Sequence, residues 1–343
     1  MSKSKRQIRT MLEFSEYVGV SRPTVSKFFN DPASIKKNTR EKLEAATKEL
    51  NFRPNMLAVN FKKKKTNLIG VIIPDAVDPF YASLTKQVTH LAKESGLITL
   101  VLSSDGDSSL QSSAISTIMG MQVAGVIFVP TGIEADEQEI TQLINTTPTV
   151  FVDAHTELAS QFVGNDNSQS ITLIVEYLVR SGSPPCYFPM PPVNGNALLR
   201  QDTYQTVMQR LGYEPQIVPV SPSLDWGFEA WAYQQTEKIL QEGGFSSDTI
   251  LCANDRIAYG VMAACQAAGL KIGREDDADL RIAGHDDHPL ARYTYPPLTT
   301  VRQDAVGIAS KATETLLHMM QSEAPPSPEK ILLDSSLQLR FSA

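Results

Sequence analysis

The sequence is poor in cysteine and tryptophan and has no long apolar run. Its 343 residues include three cysteines and two tryptophans. Cys186, Cys252 and Cys265 are odd in number and lack metal-type spacing, which argues against a disulfide scaffold and a zinc site and fits a reducing compartment. The longest apolar stretches, such as Leu68–Pro74 and Leu97–Leu102, fall far short of the ~18–20 residues that span a bilayer. The basic start, Met1–Thr10, has no apolar segment behind it, so neither a secretory signal nor membrane association is expected. A P-loop, a nucleophile elbow and a dinucleotide-binding glycine fingerprint are all missing. The expectation is a non-enzymatic protein of the cytoplasm, without cofactor or metal.

What is present is the balance of an ordinary globular protein, 42% hydrophobic and 20% charged. This length predicts two or three domains. Charge is unevenly spread. Residues 1–66 carry 16 Lys+Arg against 6 Asp+Glu, a net of +10, and the rest carries 15 against 32, a net of −17. A basic head on an acidic body points to a polyanion, with nucleic acid the first candidate.

The head has helical punctuation that a solvated tail would lack. Thr10-x-x-Glu13 reads as a capping box, with Leu12, Phe14, Tyr17 and Val18 as the apolar face and Gly19 as the stop. Ser21 is placed to cap a second helix, Pro23 falls in its first turn, and Val25, Phe28 and Phe29 give its buried side. Two short helices around a glycine-containing turn form a helix-turn-helix signature. A third helix is expected over about Asn38–Leu50, with Leu43, Ala46 and Leu50 inward. Pro54 then opens a short helix carrying Leu57 and Phe61 at i, i+4, followed by Lys62–Lys65.

From Asn67 onward, short Val/Ile/Leu runs alternate with amphipathic segments. Strands are expected at Leu68–Pro74, Ile98–Leu102, Gly125–Val129, Thr149–Val152, Cys186–Pro189, Gln216–Val220, Thr249–Cys252 and Leu280–Ala283. Helices are expected between them, for example Tyr81–Ser95, Ile171–Arg180, Leu198–Leu211 and Ile257–Ala268. Continuous apolar strands separated by helices predict parallel sheets covered on both faces, and this much chain suggests two of them. The default ligand site is the cleft between two such lobes.

Val20-Ser21-x-x-Thr24-Val25-Ser26, Phe52-Arg53-Pro54-Asn55 and Thr66-Asn67-Leu-Ile-Gly70-Val-Ile-Ile-Pro74-Asp75 resemble the lac-repressor (LacI/GalR) family. Asn254-Asp255, Gly284-His-Asp286-Asp287 and Pro296-Pro297-Leu-Thr-Thr-Val-Arg302-Gln303 continue the resemblance in order along essentially the whole chain. It implies an all-α helix-turn-helix head on a periplasmic-binding-protein-like α/β body of two doubly wound parallel-sheet lobes crossed three times by the chain. The domains would be a DNA-binding head at 1–53, a hinge helix and basic linker at 54–66, and an effector-binding body at 67–343. One lobe would take about 67–164 and 296–324, the other about 165–295 and 325–343.

The same resemblance assigns residues. Arg22, Pro23 and Lys27 stand where the family reads bases in the major groove. Arg22 suits guanine O6 and N7, whereas Pro23 reads only shape or a thymine methyl. Thr10, Ser21, Thr24, Ser26 and Asn30 would serve phosphates or caps. Asn55, Leu57, Ala58 and Phe61 would form the hinge contacts, with Phe61 as the apolar wedge in the minor groove. Four lysines after it would steepen the salt dependence by up to ~0.9 per phosphate neutralised.

In the cleft, Asp78 and Phe80 of the first βα loop, Asp153, Arg200, Trp226, Asp255 and Asp286 would meet a small polar effector. Asp78 accepts hydrogen bonds, which favours a hydroxyl-rich ligand. Asp255 is also expected to cap the helix after its strand. His285-Asp286-Asp287-His288 reads as a polar loop rather than a metal site. The function implied is a sequence-specific transcriptional regulator, a repressor, acting as a homodimer on near-palindromic double-stranded operator DNA under control of a sugar-like effector. A transport-type sugar-binding protein with a nonspecific basic tail is the alternative reading.

Overall fold

The computed structural model describes residues 8, 10–53, 66–132, 137–223, 226–322 and 327–343. The chain divides into two compact units, Met1–Thr66 and Asn67–Ala343. Among the described residues, no helix is long and apolar enough to cross a membrane.

The first unit holds α1 (Met11–Val18), α2 (Arg22–Asn30) and α3 (Lys37–Leu50). The capping box forms as its spacing predicts: Thr10 Oγ1 accepts from Glu13 N at 3.2 Å and Glu13 Oε2 accepts from Thr10 N at 3.0 Å. Gly19 closes α1 at φ 66°, a conformation that costs glycine nothing. The buried centre is Phe14, Val18, Val25, Phe28, Leu43, Ala46 and Phe52. Phe14 stacks on Phe52 with ring centroids 4.3 Å apart. The expected apolar face of α1 is too wide. Phe14 and Val18, one helical turn apart, go inward, whereas Leu12 and Tyr17 are each 52% exposed. Tyr17 instead donates its hydroxyl to Glu49 of α3 at 3.1 Å.

The second unit has two lobes. The first is a six-stranded parallel sheet of β1 (Leu68–Ile73), β2 (Ile98–Ser103), β3 (Gly125–Phe128), β4 (Thr149–Val152), β5 (Gln161–Asn165) and β10 (Glu329–Leu333), in the order β10-β5-β4-β3-β1-β2. Alternation along β1 sorts its side chains to the two faces. Ile69, Val71 and Ile73 meet α4 (Pro79–Glu94) and α11 (Ala305–Gln321), while Ile72 meets α5 (Ser108–Gly120) and α6 (Glu137–Thr146). This is the doubly wound arrangement that continuous apolar strands require.

The second lobe is built on parallel β6 (Cys186–Phe188), β7 (Thr249–Cys252) and β8 (Arg281–Ala283). Four helices belong to it: α7 (Asn167–Ser181), α8 (Gly195–Arg210), α9 (Phe228–Gln241) and α10 (Asp255–Ala267). Its core includes Leu298, Val301 and Ala343 as well as all three cysteines, which are free thiols. A short antiparallel pair, β9 (Thr300–Arg302) with β11 (Ser336–Gln338), completes it.

Three expectations are corrected. The stretch 296–302 belongs to the second lobe, because Leu298 and Val301 bury in its core and Thr299 bridges to Ala283 beside β8. Residues 329–333 belong to the first lobe, because β10 pairs along β5. The expected strand at Gln216–Val220 reduces to one bridge, Ile217 to Tyr187.

Helices α9 and α10 cross closely at Gly260. A Cβ there would lie 2.3 Å from the Glu229 carbonyl oxygen and 2.8 Å from Tyr233 N, both backbone atoms. Gly260→Ala should therefore lower the unfolding free energy by about 1–3 kcal/mol in urea denaturation. A neutral result would contradict this close approach.

Candidate functional site

In the head, Ser21 begins α2 with its hydroxyl against Thr24 Oγ1 at 2.8 Å and accepting from Thr24 N at 3.4 Å. With Val25 and Phe28 turned inward, Arg22, Pro23 and Lys27 are exposed on α2, and Thr24 and Ser26 are half-buried beside them. Pro23 and Lys27 share a face at i, i+4. Thr10 lies at the cap of α1. The side chain of Asn30, and residues Asn55, Leu57, Ala58 and Phe61, lie outside the described residues.

Between the two lobes of the body lies a cleft of about 500 Å³, a size that suits a small molecule. Asp78 and Phe80 contribute to its first-lobe wall, Asp286, Asp287 and Arg256 to the second, and Gln303 and Asp304 to the chain crossing between them. Asp78 caps α4 through Phe80 N at 2.9 Å. Phe80 sets its ring edge-on to Tyr81 at 5.2 Å.

Asp286 follows β8 at an isolated bridge to Arg302, where it and Asp287 both take positive φ, 124° and 51°. Such backbone is costly for a side chain and persists where surrounding bonds hold it. The carboxylate supplies them: Asp286 Oδ1 accepts from Gln303 Nε2 at 2.6 Å, bonds His285 Nδ1 at 2.9 Å, and lies 3.5 Å from Arg200 Nη1. Burial works against this charge, but Arg200 and His285 hold Asp286 below the ordinary carboxylate range. Burial, reinforced by Arg200, pushes His285 down to about 4, so it is neutral near pH 7.

Arg200 is buried behind this wall. Its Nε donates to Asn167 Oδ1 at 2.8 Å and its Nη1 to the Ala253 carbonyl at 2.9 Å. Asp153 is buried too. It accepts from Tyr81 Oη at 2.9 Å and from Asn196 Nδ2 at 3.0 Å. Asn167 Nδ2 to Asn196 Oδ1, at 3.1 Å, joins the two groups. A continuous polar chain thus runs from Tyr81 in the first lobe to Asp286 in the second.

Asp255 and Trp226 hold other positions. The cap of α10 is Asn254, which accepts from Ile257 N at 2.8 Å, not Asp255 as its place after the strand suggests. Asp255 is fully buried, accepting from Thr300 Oγ1 at 2.6 Å and His288 N at 2.7 Å, and it anchors the 285–288 loop. Gly284 permits this, since a Cβ there would stand 2.1 Å from Asp255 Oδ1. Burial, with Asp286 nearby, raises Asp255 to about 8. Trp226 packs between the lobe cores, against Tyr81 at 6.4 Å and Phe228 at 5.6 Å.

Sequence reasoning missed Arg256. From α10 of the second lobe it reaches Asp75 and Asp78 of the first, each at 3.3 Å. Its Nε and Nη2 grip both oxygens of Glu229 at 2.7 and 3.0 Å, and Nη2 also donates to the Trp226 carbonyl at 3.0 Å. Its plane lies over Phe228, 5.0 Å from the ring centroid. Burial works against its charge and the three carboxylates overcome it. Its place beside Asn254-Asp255 was the one signal available. Gln303, Asn167 and Asn196 were also missed as cleft or network residues. Among the described residues, no group of three or more His, Cys, Asp or Glu is arranged to hold a metal.

Two outcomes follow from these charges. Arg256→Met leaves three carboxylates without their cation and should cost about 3–5 kcal/mol in urea unfolding; a loss below 1 kcal/mol would sink the bridge. Burial, with Asp286 adding to it, raises Asp78 from its ordinary 3.8 to about 6. Between those values the folded protein keeps a proton that the unfolded chain has released. The stability this contributes is present at low pH and is lost as pH rises through about 6. Asp78→Asn keeps the cap and should flatten the decline in that window. An unchanged pH slope would contradict the assignment.

Two family models match the chain. Residues 10–55 match the bacterial regulatory proteins of the lacI family, and residues 175–342 match the periplasmic binding protein-like domain. The chain is 29% identical over 311 residues to the ribose operon repressor of Escherichia coli (strain K12), spanning 90% of this chain and 92% of that one. It is 28% identical to the lactose operon repressor of the same strain, over 92% of this chain and 86% of that one. Among solved structures, the Lac repressor bound to ONPG in its repressed state superposes with a TM-score of 0.81 at 27% identity, covering 97% of this chain and 99% of that chain. A Lac repressor dimer bound to operator and the anti-inducer ONPF gives 0.80 at 27% identity, covering 97% and 98%. The head thus matches the lacI family of bacterial regulatory proteins, and over about nine-tenths of its length the chain is similar to the ribose and lactose operon repressors.

Proposed function

We propose that this chain is a sequence-specific DNA-binding transcriptional repressor whose operator affinity is set by a small polar, sugar-like effector in the interlobe cleft. The observation that carries this reading is the pairing, in one chain, of a capped helix-turn-helix exposing Arg22 and Lys27 with a two-lobed body whose cleft is bridged by charge. Binding, not catalysis, is its work, in the bacterial cytoplasm at the nucleoid.

In this reading α2 lies in the major groove. Arg22 and Lys27 meet bases or phosphates, Pro23 reads shape, and Thr10, Ser21, Thr24, Ser26 and Asn30 serve the backbone. Asn55, Leu57, Ala58 and Phe61 make the hinge contacts in the minor groove, with Phe61 as the wedge. Two copies read the two halves of a near-palindrome, so the working unit is a homodimer. Asp78, Phe80, Asp286 and Gln303 face the effector. Arg200 and Asp153 act on it from behind or after the lobes shift, and Asp255 and Trp226 hold the walls. An effector changes operator affinity only through different affinities for the two lobe arrangements.

Selection of bound duplexes from a random pool by the full-length protein should enrich a near-palindrome. Arg22→Ala should weaken binding to it by about 1–3 kcal/mol and relax the preference at one base step. Removing residues 1–65 should abolish DNA binding and spare ligand binding. Unselective, salt-labile binding alone would favour the transport-type reading with a basic tail.

A further inference from the structure

The back of the cleft holds an acceptor without a donor. Gln303 Nε2 donates to Asp286 Oδ1 at 2.6 Å. That bond fixes the amide, because turning it over would set its oxygen against the carboxylate. Gln303 Oε1 is thereby held as an acceptor. It is buried, in a residue only 7% exposed, and has no hydrogen-bond partner among the described residues. A buried acceptor left in that condition calls for a donor from outside. Its neighbour carries charge to the same place: His285, Gln303 and Arg200 all meet Asp286 at Oδ1, and Asp286 also lines the cleft.

Charge narrows the choice of donor. The described cleft wall sets Asp78, Asp286, Asp287, Asp304 and Asp334 against Arg256 and Arg302, with Arg200 behind Asp286 and Arg340 paired to Asp287. Arg256 is already shared among Asp75, Asp78 and Glu229. A neutral hydroxyl supplies one donor and leaves the negative excess. An anion adds to that excess. An ammonium group supplies three donors and offsets it. The cleft's size and the Phe80 ring beside it leave room for a hydroxylated ring carrying that group.

We propose that the effector of this cleft is a hydroxylated amine of the amino-sugar class, its ammonium group held by Gln303 Oε1 and the Asp286 carboxylate. This rests on the reading of the cleft as the effector site.

The test is calorimetric titration of the full-length protein at near-neutral pH with matched probes: glucosamine, galactosamine and mannosamine, their parent sugars, and glucose 6-phosphate. The proposal expects an amine to bind at least about tenfold tighter than its parent sugar. Gln303→Met, of similar length but without the amide, should reduce that preference roughly tenfold. Should that variant not fold, Asp334→Asn replaces an exposed carboxylate of the wall and should weaken the amine about twofold, and more than it weakens the parent sugar. Equal or tighter binding of a parent sugar or of the phosphate overturns the amine and keeps the cleft as the effector site. Amine binding indifferent to both substitutions overturns the assigned contacts. Binding of none of the probes counts against the amine, and the effector reading falls with it only if the parent sugars' failure extends to a broad panel of neutral metabolites.

Discussion

The cleft depends on one guanidinium. Arg256 stands on the second lobe, yet two of its three carboxylate partners, Asp75 and Asp78, stand on the first. Its side chain is only 11% exposed. A cation so far removed from water is held only by its partners, and those partners are together only when the lobes are in this arrangement. The contact therefore couples an electrostatic gain directly to lobe position. It also organises its surroundings: Asp78 caps α4, Glu229 begins in the first turn of α9, and the Trp226 carbonyl is drawn between the two cores. Removing any one of these alters the others, because all share the same five donors.

A second constraint lies at the chain crossing. Gln303 precedes α11 of the first lobe and is bonded to Asp286 of the second. A ligand that engages this pair touches the joint between the lobes rather than one wall. Behind it, Arg200, Asn167, Asn196, Asp153 and Tyr81 form an unbroken polar chain across both lobes. Such a network is satisfied in one geometry and broken in intermediate ones, which is the property a two-state element needs.

Local chemistry made much of this legible beforehand. The capping box of Thr10 and Glu13, the αL glycine at 19 and the Ser21 cap are short-range devices, and each appears where its spacing predicts. The apolar strands β1, β3, β4 and β7 were visible because burial on both faces leaves them continuously hydrophobic. The strands β5, β9, β10 and β11 were not, because their sequences mix polar residues and their pairing is set by partners far along the chain. For that reason the lobe boundaries moved at 296–302 and 329–333. Asp78, Phe80 and Asp286, named from the resemblance, line one cleft. Arg256 and Gln303 did not announce themselves, since an arginine or glutamine acquires its role only from what the fold sets against it. Leu12 and Tyr17 show the opposite error: apolar residues at a plausible spacing, left at the surface because α1 turns the stripe of Phe14, Ser15 and Val18 inward instead.

The central claim is that the lobe arrangement held by Arg256 governs DNA binding. The most direct measurement is the operator affinity of full-length Arg256→Met beside the wild type, at one salt concentration, with cooperative melting of both proteins checked first. The account predicts a change in dissociation constant of roughly fivefold or more, the lower end of ordinary allosteric couplings. Equal affinities, with an equal response to ligand, would contradict it.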